Sequence, residues 1–147
     1  MKIVVDTNIV FSSLLNSNSA ISKILITAPQ KFRFYSPSFL KVELFRHHKK
    51  LLKLTKLSPK ELSELESLIL SKIFFIDESL IPESIFTSSE KLLQDIDIWD
   101  TPFLALTIFL EGVLWSGDLK LIEGLKHKGF SDVVTTSELN ELAQNTK

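Results

Sequence analysis

Carboxylates at the ends of apolar runs are the groups in this chain whose type and spacing could do chemistry. Asp6 closes Ile3-Val4-Val5 and is followed by Thr7-Asn8. Asp118 stands just beyond a second run, in Val113-Leu114-Trp115-Ser116-Gly117-Asp118. Asp97 and Asp100 lie in Asp95-Ile96-Asp97-Ile98-Trp99-Asp100-Thr101-Pro102, and Glu43 in Phe39-Leu40-Lys41-Val42-Glu43-Leu44. Carboxylates gathered on one rim repel each other, and a hard divalent cation relieves the repulsion. Magnesium and manganese take oxygen ligands, magnesium commonly through one or two carboxylates plus water and substrate phosphate. Paired ions of this kind are a recurring device for hydrolysing phosphodiesters. Such chemistry needs no covalent nucleophile, which suits a chain without cysteine or a convincingly placed Ser-His pair.

Each acid also has an ordinary reading. Asp118, between a strand and a helix, is a natural N-cap, and Asp100 beside Thr101-Pro102 is another. Glu43 taken alone is a solvated helix residue. Asp6 is harder to dismiss, because asparagine or glycine would serve equally well after a strand apolar on both faces. Asp77 also ends a strand, Ile73-Phe74-Phe75-Ile76, but nothing else supports a role for it, so it reads as ordinary loop and serves as the control.

Alternating strands and helices must position these acids. Short β-branched or aromatic runs predict strands at residues 2–5, 32–35, 73–76, 113–115 and 133–134. Between them, Ile21, Ile24 and Leu25 recur at helical spacing. Ser36-Pro37 reads as cap and first-turn proline of a helix through Leu40, Leu44 and onward. Ser58-Pro59-Lys60-Glu61 is a capping box ahead of the stripe Leu62, Leu65, Ile69. Pro102 opens a helix over 103–110 ended by Gly112. Leu119, Leu121, Ile122 and Leu125 mark another helix, and Thr135-Thr136-Ser137-Glu138 caps the last. This alternation predicts an α/β three-layer sandwich with a mostly parallel sheet of about five strands, in one domain over 1–147. Sites in such sheets form beyond the carboxyl ends of the strands. Asp6 and Asp118 share that rim if their strands are neighbours.

Composition narrows the function. Lys plus Arg number 17 against 18 for Asp plus Glu, a formal charge of −1, so any nucleic-acid contact must come from a local patch. The absence of cysteine excludes disulfide frameworks and thiolate zinc sites and fits a reducing cytoplasm, where the protein is expected. No apolar run approaches a membrane span, and Asp6 interrupts any signal-peptide core. The glycines, at 112, 117, 124 and 129, leave no Gly-rich phosphate loop near the N-terminus.

Together the motifs resemble the PIN-domain ribonucleases found as toxins of VapBC-type toxin–antitoxin pairs. The resembling segments are Val4-Val5-Asp6-Thr7-Asn8-Ile9-Val10, Pro37-Ser38-Phe39-Leu40-Lys41-Val42-Glu43-Leu44, Asp97-Ile98-Trp99-Asp100-Thr101-Pro102-Phe103-Leu104-Ala105-Leu106 and Trp115-Ser116-Gly117-Asp118-Leu119-Lys120-Leu121. They cover essentially the whole chain in the family's order. The resemblance implies that Asp6, Glu43, Asp100 and Asp118 are catalytic and hold magnesium or manganese. It implies that Asn8 and Ser116 orient ligands by hydrogen bonding and that Asp97 is a further acid. RNA would be the substrate, hydrolysed to 5′-phosphate and 3′-hydroxyl ends, and a small antitoxin would cover the acidic groove. No membrane partner is implied, and a homodimer is left open. Lys120 stands where relatives often carry an acid, and Ser116 where many have threonine.

Arg46, Lys49, Lys50 and Lys53 follow Glu43 and offer a guide for RNA phosphates, the plainer reading being a solvated helix face. Glu43 and His47 share a helix face at a spacing of four, but zinc sites usually need further histidines. The phenylalanines, including Phe32, Phe34, Phe39, Phe45, Phe103 and Phe109, read as packing, whereas Trp99 beside the acids reads as partly exposed. Two other functions compete. In a haloacid-dehalogenase-like phosphatase, Asp6 would be the nucleophile and Gly117-Asp118 would bind magnesium, but Asn8 and Ile9 replace that family's second aspartate and its glycine. The other rival is a non-catalytic PIN-like module that binds RNA or a partner.

Overall fold

A computed structural model describes residues 1–27 and 29–145 of the chain. Its strands are β1 (Lys2–Val5), β2 (Arg33–Pro37), β3 (Ile73–Ile76), β4 (Val113–Trp115) and β5 (Val133–Val134). The helices are α1 (Thr7–Leu15), α2 (Ala20–Thr27), α3 (Phe39–Arg46), α4 (His48–Thr55), α5 (Pro59–Leu70), α6 (Glu83–Leu93), α7 (Thr101–Leu110), α8 (Leu119–His127) and α9 (Thr136–Gln144). All five strands run parallel in the order β3-β2-β1-β4-β5. Helices flank the sheet, giving the expected three-layer α/β sandwich.

The central strand is β1, between β2 and β4, and its Ile3, Val4 and Val5 are fully buried. A strand covered on both faces accommodates such an unalternating apolar run. From β1 the chain moves outward to β2 and β3, then returns to β1's other side at β4. The connection direction therefore reverses between β1 and β4. The crevice beyond their carboxyl ends is where ligands enter sheets of this kind.

Helix α7 packs across β1, β2 and β4, with α6 against it. Contact with the sheet below and α6 above explains why α7 lacks a polar face: Phe103, Leu104, Ala105 and Leu106 are all buried. The helix ends at Leu110, as expected, and Glu111 takes the left-handed conformation at its C-cap, with φ 54°. Gly112 is required because a Cβ there would stand 2.7 Å from the Lys2 carbonyl oxygen.

The second strand also differs. Ser36-Pro37 belongs to β2 rather than to a helix start, because pairing with β3 continues to Pro37 opposite Ile76. The Ser36 hydroxyl donates to the Val5 carbonyl at 2.9 Å, a bond that would be lost if the residue turned into a helix. The following helix is broken at His47 into α3 and α4. Helices α1 and α6 carry weak sequence patterns and were not anticipated, whereas the capping boxes of α5 and α9 form as read. Phe45, 82% exposed, and Phe109, 38% exposed, correct the assignment of these phenylalanines to packing. Among the described residues no single helix is long and apolar enough to cross a membrane.

Candidate active site

Asp6 leaves β1 at the topological crevice. Its backbone N–H donates to the Trp115 carbonyl at 3.4 Å, extending the β1–β4 pairing to the site itself. Its Oδ1 accepts the Ile9 N–H at 2.9 Å and caps α1, so the carboxylate is both a helix cap and a cleft group. Asp118 approaches from the neighbouring strand and caps α8, accepting from the backbone of Lys120 and Leu121 at 3.0 and 3.3 Å. Ser116, fully buried, joins the two acids. Its hydroxyl bonds to the Asp6 carboxylate and accepts the Asp118 N–H at 3.1 Å.

Glu43 projects from α3 and is held by the Thr7 hydroxyl, which donates to its Oε1 at 2.5 Å. Thr7 was given no role in the sequence reading. A threonine one residue after a strand-ending aspartate is the available cue, but its partner comes from a remote helix. Asp97 and Asp100 sit on a 3-10 turn, Ile98–Asp100, ahead of α7. Asp97 caps that turn by accepting the Trp99 N–H at 3.0 Å. Asp100 makes no capping bond with its side chain. The turn is pinned towards α8 by groups that sequence reasoning also missed. The Ile96 side chain lies where a Cβ on Gly124 would be, 2.6 Å from its Cδ1. Lys128 bonds both the Leu92 carbonyl, at 2.7 Å, and the Asp95 carboxylate.

The resulting cleft, about 150 Å³, is lined by Asp6, Thr7, Asn8, Glu43, Asp97, Trp99 and Asp100. Burial pushes the Asp6 carboxyl up to about 6, against the lowering effect of the Ser116 and Ile9 bonds and with help from the charges of Asp118 and Glu43. Burial likewise raises Asp100 to about 7, reinforced by Asp97, Asp6, Asp118 and Glu43. The fold thus gathers all five predicted acids into one mutually repelling group. Among the described residues no Lys, Arg or His forms an ion pair with any of them. Buried carboxylates without a cationic partner are costly, and an all-oxygen set suits a hard divalent ion. Among the described residues no group of three or more His, Cys, Asp or Glu side chains is placed to hold one metal ion. Magnesium does not need such a group, since water and substrate fill most of its shell.

An adjoining hollow of about 120 Å³ shares Thr7, Asn8 and Glu43 with the cleft and adds Phe11, His47 and Lys50. Of the predicted basic run, Lys50 therefore borders the acids. Its ammonium lies 5.6 Å from the Phe11 ring centre, and Arg46 stacks over Phe39 instead. Lys49 and Lys53 are solvent-exposed and line neither hollow. His48 points to Glu66, at 3.7 Å. The control Asp77 is two strands from β1 and merely accepts the Ser79 N–H. A larger hollow, about 410 Å³, lies at the opposite rim around Gly112 and Val113 and lacks any such group of acids.

The family model of the PIN domain matches residues 4–143, nearly the whole chain. The chain belongs to the PIN-domain family. PIN domains are generally nucleases, and this membership favours the nuclease reading over the phosphatase reading of Asp6. Solved structures that share the fold include two from different organisms. One is VapBC2 from Rickettsia felis bound to a DNA fragment from its promoter, with TM-score 0.65, 16% identity, and 92% of this chain and 97% of that chain covered. The other is PAE2754 from Pyrobaculum aerophilum, with TM-score 0.67, 13% identity, and 98% and 90% covered. A comparison with curated protein sequences returns no match. In this PIN domain the acids quoted from the family's motifs are those that line or charge the cleft.

Proposed function

We propose that this single-domain protein is a magnesium- or manganese-dependent endoribonuclease and the toxin of a cytoplasmic toxin–antitoxin pair. The observation that carries the reading is the convergence of Asp6, Glu43, Asp97 and Asp100 on one cleft, with no ion-pairing Lys, Arg or His beside them among the described residues. Burial and like charge raise the carboxyls of Asp6 and Asp100 accordingly. Asp6, Asp100, Asp118 and Glu43 would hold the cation. A bound divalent ion supplies neutralising charge at the phosphate and a more acidic water.

The chain's own groups do the rest. Ser116 orients Asp6, and Thr7 orients Glu43. Asn8, exposed at the cleft, offers an amide to water or phosphate, and Asp97 adds negative charge beside Asp100. Arg46, Lys49, Lys50 and Lys53 attract the RNA backbone, with Lys50 nearest the acids. A water oxygen attacks phosphorus and the ribose 3′ oxygen departs, leaving 5′-phosphate and 3′-hydroxyl ends. The likeness to a VapBC toxin–antitoxin protein supports an antitoxin partner.

The test is RNA cleavage in manganese, with and without chelator. Asp6→Asn, Asp100→Asn and Asp118→Asn should each lower the rate about a hundredfold or more, and Asp77→Asn should leave it unchanged. Full activity in Asp100→Asn would overturn the assignment. RNA binding without cleavage would make the protein a binding module, and phosphate trapped on Asp6 would make it a phosphatase.

A further inference from the structure

The two tryptophans of this chain have opposite environments. Trp115 is fully buried, its ring 5.9 Å from that of Phe34 and its N–H donated to the Thr136 hydroxyl at 3.0 Å. Trp99 is 69% exposed. Among the described residues its ring has no aromatic or cationic partner and its indole N–H donates to no protein group. Yet its backbone is firmly held. Its N–H is bound by Asp97, the Asp100 N–H returns to the Asp97 carbonyl at 3.2 Å, and the Thr101 hydroxyl donates to the Ile98 carbonyl at 2.5 Å. A large apolar ring is thus fixed in the wall of a cleft otherwise lined by Asp6, Thr7, Asn8, Glu43, Asp97 and Asp100.

We propose that Trp99 is a stacking platform for an unpaired base next to the phosphate that a cation on the carboxylates would hold. This rests on the nuclease reading above. The acidic wall itself repels a polyanion, so the strand needs an attraction that does not depend on charge. A base presents a π-face whatever its identity, and stacking on an aromatic ring supplies that attraction without selecting sequence. In a duplex those faces are occupied by neighbouring bases, so a protein ring reaches only an unpaired one. The groove also has room for the strand to continue. Thr7, Asn8 and Glu43 are shared with the adjoining hollow, where Lys50 and His47 stand ready for the next phosphate. Trp99 acts here as a substrate-binding group and takes no part in the proton or phosphoryl transfers.

The test is a titration with a short single-stranded RNA in calcium, a hard cation used in place of manganese to hold the phosphate while limiting cleavage, followed by tryptophan emission and by anisotropy of labelled RNA. The buried Trp115 gives a constant background. Wild type should be quenched on binding, Trp99→Phe should lose the quench while keeping most of its affinity, and Trp99→Ala should bind about 5- to 100-fold more weakly. An abasic chain of equal length should bind wild type and Trp99→Ala alike, and a duplex should leave the emission unchanged. In manganese, the loss in Trp99→Ala should fall on KM and not on kcat. Equal affinities of wild type and Trp99→Ala, or of RNA and abasic chain, would overturn the stacking role. No cleavage by wild type, with the base-dependent quench intact, would overturn the nuclease reading and leave the stacking role standing.

Discussion

Asp6 and Asp100 titrate near 3.8 as free side chains, but the fold raises them to about 6 and about 7. A raised carboxyl pKa means that the folded state prefers the proton. Its stabilising contribution is therefore complete below about pH 4 and is lost as pH rises through the folded values. Glu61, Asp77 and Asp95 have lowered carboxyls, and their contribution is instead lost on acidification below that window. In chelator the melting temperature should consequently fall between about pH 4.5 and pH 7.5. Asp100→Asn removes one charge from the group, so it should flatten the fall and melt at or above wild type at pH 7.5. Manganese should erase the difference by stabilising wild type, while Asp100→Asn responds little. Thermal melts across this range decide it: a wild type whose melting is indifferent to pH and manganese would mean that the acids do not act as one group.

Helix α8 depends on the same side chain that the site needs, which makes Asp118 informative as a pair of substitutions. Its carboxylate satisfies two backbone N–H groups at the first turn of α8. Asparagine caps as well as aspartate, and alanine does not. Asp118→Ala should cost about 1 kcal/mol, or about 2–4 °C in melting temperature for a domain of this size. Asp118→Asn should melt close to wild type in chelator. Cleavage should be lost in both. If cleavage survives in Asp118→Asn and falls only where the helix is weakened, Asp118 serves α8 alone.

Over the whole molecule the charges nearly cancel, at −1, so no broad positive field steers RNA to the cleft. The contribution of each lysine then depends on its distance from the acids. Lys50 borders the hollow that adjoins the carboxylates, whereas Lys53 does not. Lys50→Glu should weaken RNA binding and flatten its salt dependence by removing a phosphate contact, and Lys53→Glu should do so less. Binding measured over a salt series checks this. Equal effects of the two reversals would make the basic run a diffuse attractor.

Much of this architecture was legible in the chain because its cues are local. Unalternating apolar runs fit a sheet buried on both faces, so Lys2–Val5 and Val113–Trp115 announced parallel strands before any contact was known. The caps of α5 and α9 rest on residues three apart and formed as read. The acids were legible as a set from their motifs and as strand-end residues. What no local pattern carries is which strands are neighbours. The pairing of β1 with β4 put Asp6 beside Ser116 and Asp118, and the Ile96–Gly124 contact helped bring Asp100 to them. Ser36-Pro37 looked like a helix start because cap and proline chemistry is local, but pairing to Ile76 and a bond to Val5 held it in the strand. Exposure is likewise decided by neighbours distant in the chain. Trp99 and Trp115 both precede an acid of the set, and packing buried one and left the other facing the cleft.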